Sequence, residues 1–162
     1  MKRSEYEAKM KALQDEIEVL KKVEIEEDSG RWKPEIDDHY YNMRSDGLLA
    51  IVPHRWNDSN YDYDCYAIGN CFKTWEEGRF AREKLKVLAE LKEFAEPSDA
   101  KWDGTVPHYS IVYDFHNREI LIDYNLRSKF TSIYFASEKD AKTAVDRVGE
   151  ERIKKYYLGV VE

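Results

Sequence analysis

One local arrangement occurs twice in this chain and fixes most of what it can fold into. Phe72-Lys73-Thr74-Trp75-Glu76-Glu77 and Phe135-Ala136-Ser137-Glu138-Lys139-Asp140 each set an aromatic residue two positions before a hydroxyl side chain and an acidic residue three positions after it. A threonine or serine there accepts from the orphan amides of a first helical turn, and the acidic group suits the positive end of the helix. Glu77 completes the reciprocal box, and Asp140 is a shorter stand-in. The aromatic before each cap ends a strand that feeds the helix. Upstream, Trp32 precedes His39-Tyr40-Tyr41 much as Trp102 precedes His108-Tyr109-Ser110, which makes His39 and His108 matching strand starts. The chain therefore reads as two diverged copies of one strand-rich unit, over residues 31–97 and 100–162.

Each copy contains strand text. His39 to Arg44 and Leu48 to Val52 flank the turn Ser45-Asp46-Gly47, with Pro53 closing the second strand. Asn57 to Asp62 reads as a polar loop and Cys65 to Phe72 as a third strand, in which Gly69-Asn70 marks a bulge or close backbone approach. In the second copy Tyr109 to Phe115 and Glu119 to Tyr124 flank His116-Asn117-Arg118, and Thr131 to Phe135 completes the set. The expected fold class is α+β, two β-β-β-α units with helices packed on antiparallel sheet. The first helix is expected from about Trp75 to Ala95, with Phe80, Ala81, Leu85, Leu88, Leu91, Phe94 and Ala95 on its apolar face. The second buries Ala141, Ala144, Val145 and Val148 before Gly149, and a further turn runs from Glu150 to Tyr157.

Residues 1–29 follow another period. Tyr6, Met10, Leu13, Ile17 and Leu20 alternate at four- and three-residue spacings, the seam of a short coiled coil, until Glu24 interrupts it. Two arrangements would bury that stripe: pairing with a second copy, or docking on the protein's own body. Glu/Lys-rich flanks with Ile and Leu on the seam favour a dimerisation coil, and Ser29-Gly30 stops the helix.

The rest of the composition narrows the class of activity. Hydrophobic residues make up 42% and aromatic residues 14%, enough for a packed core despite 36% charged residues. No apolar run is long enough to cross a bilayer, and the opening residues alternate in charge, so a cytoplasmic protein without membrane contact is expected. In that reducing compartment Cys65 and Cys71 are expected as buried thiols. A net charge of −7 argues against nonspecific coating of nucleic acid and suits contact with a basic protein surface.

Catalytic and metal signatures are weak. His39, His54, His108 and His116 do not fall in ligand spacing with one another or with a cysteine. Asp58-Ser59-Asn60-Tyr61-Asp62-Tyr63-Asp64 resembles the opening of a calcium loop but lacks the required glycine and closing glutamate. No glycine-rich phosphate loop and no motif around a Ser/His/Asp grouping is present. No catalytic, cofactor-binding or metal residue is therefore assigned. The alternation of tyrosines and carboxylates at Asp58, Tyr61, Asp62, Tyr63 and Asp64 instead suggests a partner-binding patch, since tyrosine gives contact area at low entropic cost.

Ile68-Gly69-Asn70-Cys71-Phe72-Lys73-Thr74-Trp75-Glu76-Glu77, Glu83 to Leu91, Tyr134-Phe135-Ala136-Ser137 and Val148 to Tyr157 resemble a family of small proteins encoded by phages and prophages of Firmicutes-type bacteria. The resemblance covers most of the chain after Trp32; Gly78 departs from it, standing where a helix-favouring residue is usual. What it implies is a setting: small acidic phage proteins are often accessory factors, and one group disables host defence complexes such as CRISPR nucleases by occluding or dimerising them. The expectation is thus a non-enzymatic, dimeric factor binding a host protein complex. The alternative is a phage factor on single-stranded nucleic acid, using strand aromatics with Lys84, Lys86, Lys154 and Lys155.

Overall fold

The computed structural model describes residues 9–11, 13–14, 30–44, 50–131 and 133–160. The chain divides into two units, Met1–Trp32 and Lys33–Glu162. In the first, residues 9–11 and 13–14 are helical, and the seam residues Met10 and Leu13 are exposed. Tyr6, Ile17 and Leu20 lie outside the described residues.

The second unit mixes helix with two small antiparallel hairpins. Strands β1 (His39–Met43) and β2 (Ile51–Arg55) pair with Tyr41 opposite Pro53; β3 (His108–Asp114) and β4 (Glu119–Asn125) pair with Tyr109 opposite Tyr124. In each hairpin the first strand turns its free edge to a single residue: Tyr41 exchanges two backbone hydrogen bonds with Phe72 (2.8 and 2.9 Å), and Tyr109 exchanges two with Phe135 (3.0 and 2.8 Å). Because the Tyr41 amide and carbonyl point toward Phe72, Tyr41 and Pro53 form a non-hydrogen-bonded pair. Pro53 therefore sits inside a strand without breaking a ladder bond, since its nitrogen faces the outer edge.

The expected third strand is thus one bridging residue in each copy. In the first copy, the text read as a loop and a strand forms helix α1 (Asn60–Ala67). Ser59 caps it: its hydroxyl accepts from the Asp62 N–H, and the Asp62 carboxylate accepts from the Ser59 N–H, a reciprocal box that outweighs the strand-forming tyrosines. After α1, the side chain of Asn70 supplies what a strand would have given. Its Oδ1 accepts from Met43 N–H at 2.8 Å and its Nδ2 donates to Met43 C=O at 2.9 Å, extending the Tyr41–Phe72 bridge.

Thr74 and Ser137 cap helices α2 (Trp75–Lys92) and α3 (Glu138–Val148), each accepting from the amide three residues on. Glu77 reaches back to the Lys73 N–H (2.9 Å), while Asp140 accepts from the Ser137 hydroxyl. Gly149, at φ 93°, ends α3; a short α4 (Glu150–Arg152) then widens into a π-helical turn over Ile153–Tyr157. Helix α2 packs against both hairpin regions. Val87 and Leu91 join Ile111, Ile133, Phe135, Ala144, Val148 and Ile153 in the main core. At its other end Gly78 faces the first hairpin, where a Cβ would come 2.8 Å from Ile51 Cγ2 and 3.1 Å from Phe72 Cδ2. The absence of a side chain at Gly78 is what lets α2 approach so closely.

The bridges also change which residues of the two hairpins correspond. Tyr41 and Tyr109 hold the same place in the backbone ladder, so the counterpart of His108 is Tyr40, not His39. Burial agrees: Tyr40 and His108 are enclosed, as are Asn42 and Ser110 two positions on, whereas His39 is exposed.

Candidate protein-binding groove

The first hairpin and α1 enclose an aromatic cluster around one carboxylate. Trp56 lies edge-on to Tyr40, Tyr63 and Tyr66, and His54 packs against Tyr40 and Tyr61. At the centre, fully buried Asp62 accepts from Tyr40 OH (2.8 Å), Asn57 N–H (3.0 Å), Ser59 N–H (3.0 Å) and Ser59 OH (2.8 Å). Burial alone would push its carboxyl up; the Asn57 amide, the Ser59 hydroxyl, the Tyr40 phenol and the Ser59 amide outweigh that and hold it below the usual carboxylate range. The same enclosure, with Asp62 as acceptor, pushes the Tyr40 phenol far up. His54 Nε2 stands 3.6 Å from Asp62 Oδ1, but the Ser59 hydroxyl is committed in both directions within the capping box. This Ser/Asp/His grouping fastens a helix start.

Of the five residues proposed for partner contact, Asp62 is therefore removed from the surface. A lone reading of its place in the acidic run could not tell it from its neighbours. Asp58 is exposed but engaged, accepting from Trp56 Nε1 (2.7 Å) and Tyr63 OH (3.1 Å). Tyr61, Tyr63 and Asp64 remain exposed along α1. Tyr61 OH accepts from Asn42 Nδ2 (2.9 Å), and Lys33 Nζ lies 5.3 Å from the centre of the Tyr63 ring. Both rings are held in place while showing about half their surface.

Tyr61 and Asp64 line a cleft of about 300 Å³ with Cys65, Ala67, Met43, Ile68 and Asn70. The last three also line a larger groove, of about 430 Å³, completed by Gly69, Phe72, Arg44 and the α2 residues Ala81, Lys84, Leu85 and Leu88. The two therefore share a wall. Ile68 is 78% exposed and Leu85 51%, so the groove presents apolar surface. The apolar face expected for α2 included Phe80 and Leu85, which are exposed, and left out Val87, which is fully buried. Helix α2 is apolar over a wider arc than one core can cover, and the surplus was the readable sign of a second apolar face.

The remaining candidates are dispersed. Neither cysteine is in a disulfide; Cys65 is buried as expected, and Cys71 is only half-buried. Lys86 is held by Glu83 (3.2 Å), Lys154 by Glu151 (3.2 Å), and Lys155 lies over the Tyr156 ring. No group of three or more His, Cys, Asp or Glu among the described residues is arranged to hold a metal ion. Among those residues, no helix is long and apolar enough to cross a membrane. No protein-family model, curated protein or solved structure matches the chain.

Proposed function

We propose that this chain is a non-enzymatic accessory protein that binds another protein through the groove between α1 and α2. The observation carrying this reading is that the Tyr61–Asp64 cleft and the apolar groove at Ile68 and Leu85 share Met43, Ile68 and Asn70 as a common wall. An apolar floor beside rigid tyrosines and carboxylates is the composition of a protein interface: a buried anchor site with a polar rim. The partner supplies an apolar side chain for the groove and a basic group for Asp64. The phage resemblance points to a host complex, and a defence nuclease of the CRISPR kind fits a partner whose basic surface ordinarily holds nucleic acid. The N-terminal segment pairs with a second copy and doubles the surface.

Plasmid interference in bacteria carrying an active defence nuclease tests this. Expression of the chain is expected to restore plasmid establishment, and the Ile68→Glu/Leu85→Glu chain to lose that effect. Unchanged interference in cells that make the folded chain removes the inhibitor assignment.

A further inference from the structure

The two hairpins end in edges of different character. In β2 the outward position opposite Tyr41 is Pro53, which offers no donor. The equivalent residue of β4, opposite Tyr109, is Tyr124. Since Tyr109 turns its amide and carbonyl toward Phe135, Tyr124 and the alternate residues Ile122 and Ile120 turn theirs to the outer edge of β4. The Tyr124 amide is covered by the Asp123 carboxylate at 2.8 Å. No described backbone group pairs with the outward amides and carbonyls of Ile120 and Ile122. An open edge of this kind is a template for another strand, and it is commonly blunted by a proline, as in the first copy.

Beside this edge runs a groove of about 390 Å³, bounded by Ile120, Leu121 and Ile122 on the strand and Glu138, Val145 and Asp146 on α3. Its charged groups are Glu138, Asp146 and Glu150 against Lys142. Lys142 is itself paired with Glu138, and Glu150 lies 3.8 Å from Lys154. The balance is negative. We infer that the β4 edge and α3 accept an extended, cationic peptide segment of a partner protein, which adds a strand to β4 and sets its basic side chains against the α3 carboxylates. Backbone pairing gives the affinity, and the acidic helix face selects for charge. This surface is separate from the groove between α1 and α2.

A fluorescein-labelled nonapeptide of alternating lysine and valine, titrated into the full chain by anisotropy, tests the inference. Two versions carry N-methyl groups on alternate amides, in opposite registers. Pairing requires that one register lose at least tenfold in affinity while the other stays within about twofold. The Glu138→Lys/Asp146→Lys chain should also weaken binding at least tenfold, and Ile68→Glu should leave it unchanged. Binding that is absent, or equally sensitive or insensitive to both methylated registers, overturns the proposal even if the charge variant does not fold. Loss on Ile68→Glu would move the peptide to the other groove and overturn it too.

Discussion

At the scale of single residues, Asp62 bears the most weight. Four donors converge on it inside an aromatic shell, so truncation leaves several buried groups unpaired at once. Asp62→Ala is expected to cost about 3 kcal/mol, measured by urea unfolding. A loss below about 1 kcal/mol would mean that water replaces the carboxylate. Its acidity sets a pH dependence as well. Asp62 is held below the usual carboxylate range by the donors that outweigh its burial, and Glu90 by the hydrogen bonds from Arg152. A carboxyl that is more acidic folded than unfolded adds stability at neutral pH, all of it present above the unfolded value of about 4 and lost as pH falls through the lower folded value. Melting temperature should therefore be level from pH 7 to about 5 and fall steeply below about 4. The signal for Asp62 was in the sequence, since Ser59 and Asp62 stand at capping-box spacing. It was hidden because α1 has no apolar period, and Asp58, Tyr61, Tyr63 and Asp64 surround it as polar and aromatic residues would in a loop.

At the scale of elements, the caps were the most legible features and the third strands the least. Thr74 and Ser137 could be placed from the sequence because a helix start leaves orphan amides that few side chains satisfy. A one-residue bridge leaves no such mark: Phe72 and Phe135 look the same whether they end a long strand or stand alone. Asn70 shows why the first copy needs no more strand than that, because one side-chain amide satisfies both backbone groups of Met43. Asn70→Ala should lower stability by about 1–2 kcal/mol, and Asn70→Asp, which keeps the acceptor but not the donor, should also fall short of the native chain. Equal stability of all three by calorimetry would show that solvent serves Met43 equally well. The buried side of α2 was misjudged for a related reason: with apolar residues spread so widely, periodicity alone cannot say which part of the arc meets the core.

At the scale of the whole molecule, two grooves flank a body whose halves share one helix. The first joins Tyr61, Asp64, Ile68 and Leu85; the second runs along β4. Pairing through Tyr6, Met10, Leu13, Ile17 and Leu20 would present each groove twice. Light scattering of the full chain should then give twice the 19.3 kDa protomer mass, and Leu13→Glu/Ile17→Glu should return it to one. A monomeric native chain would leave the body acting singly. The central claim, that the groove between α1 and α2 is where a partner is held, meets its most direct test in paired affinity capture from a lysate of the proposed bacterial host. The baits are the native chain and the Ile68→Glu/Leu85→Glu chain, matched for melting temperature. The groove account predicts a defined protein complex retained by the first and lost from the second; the same complex on both baits, or none on either, would contradict it.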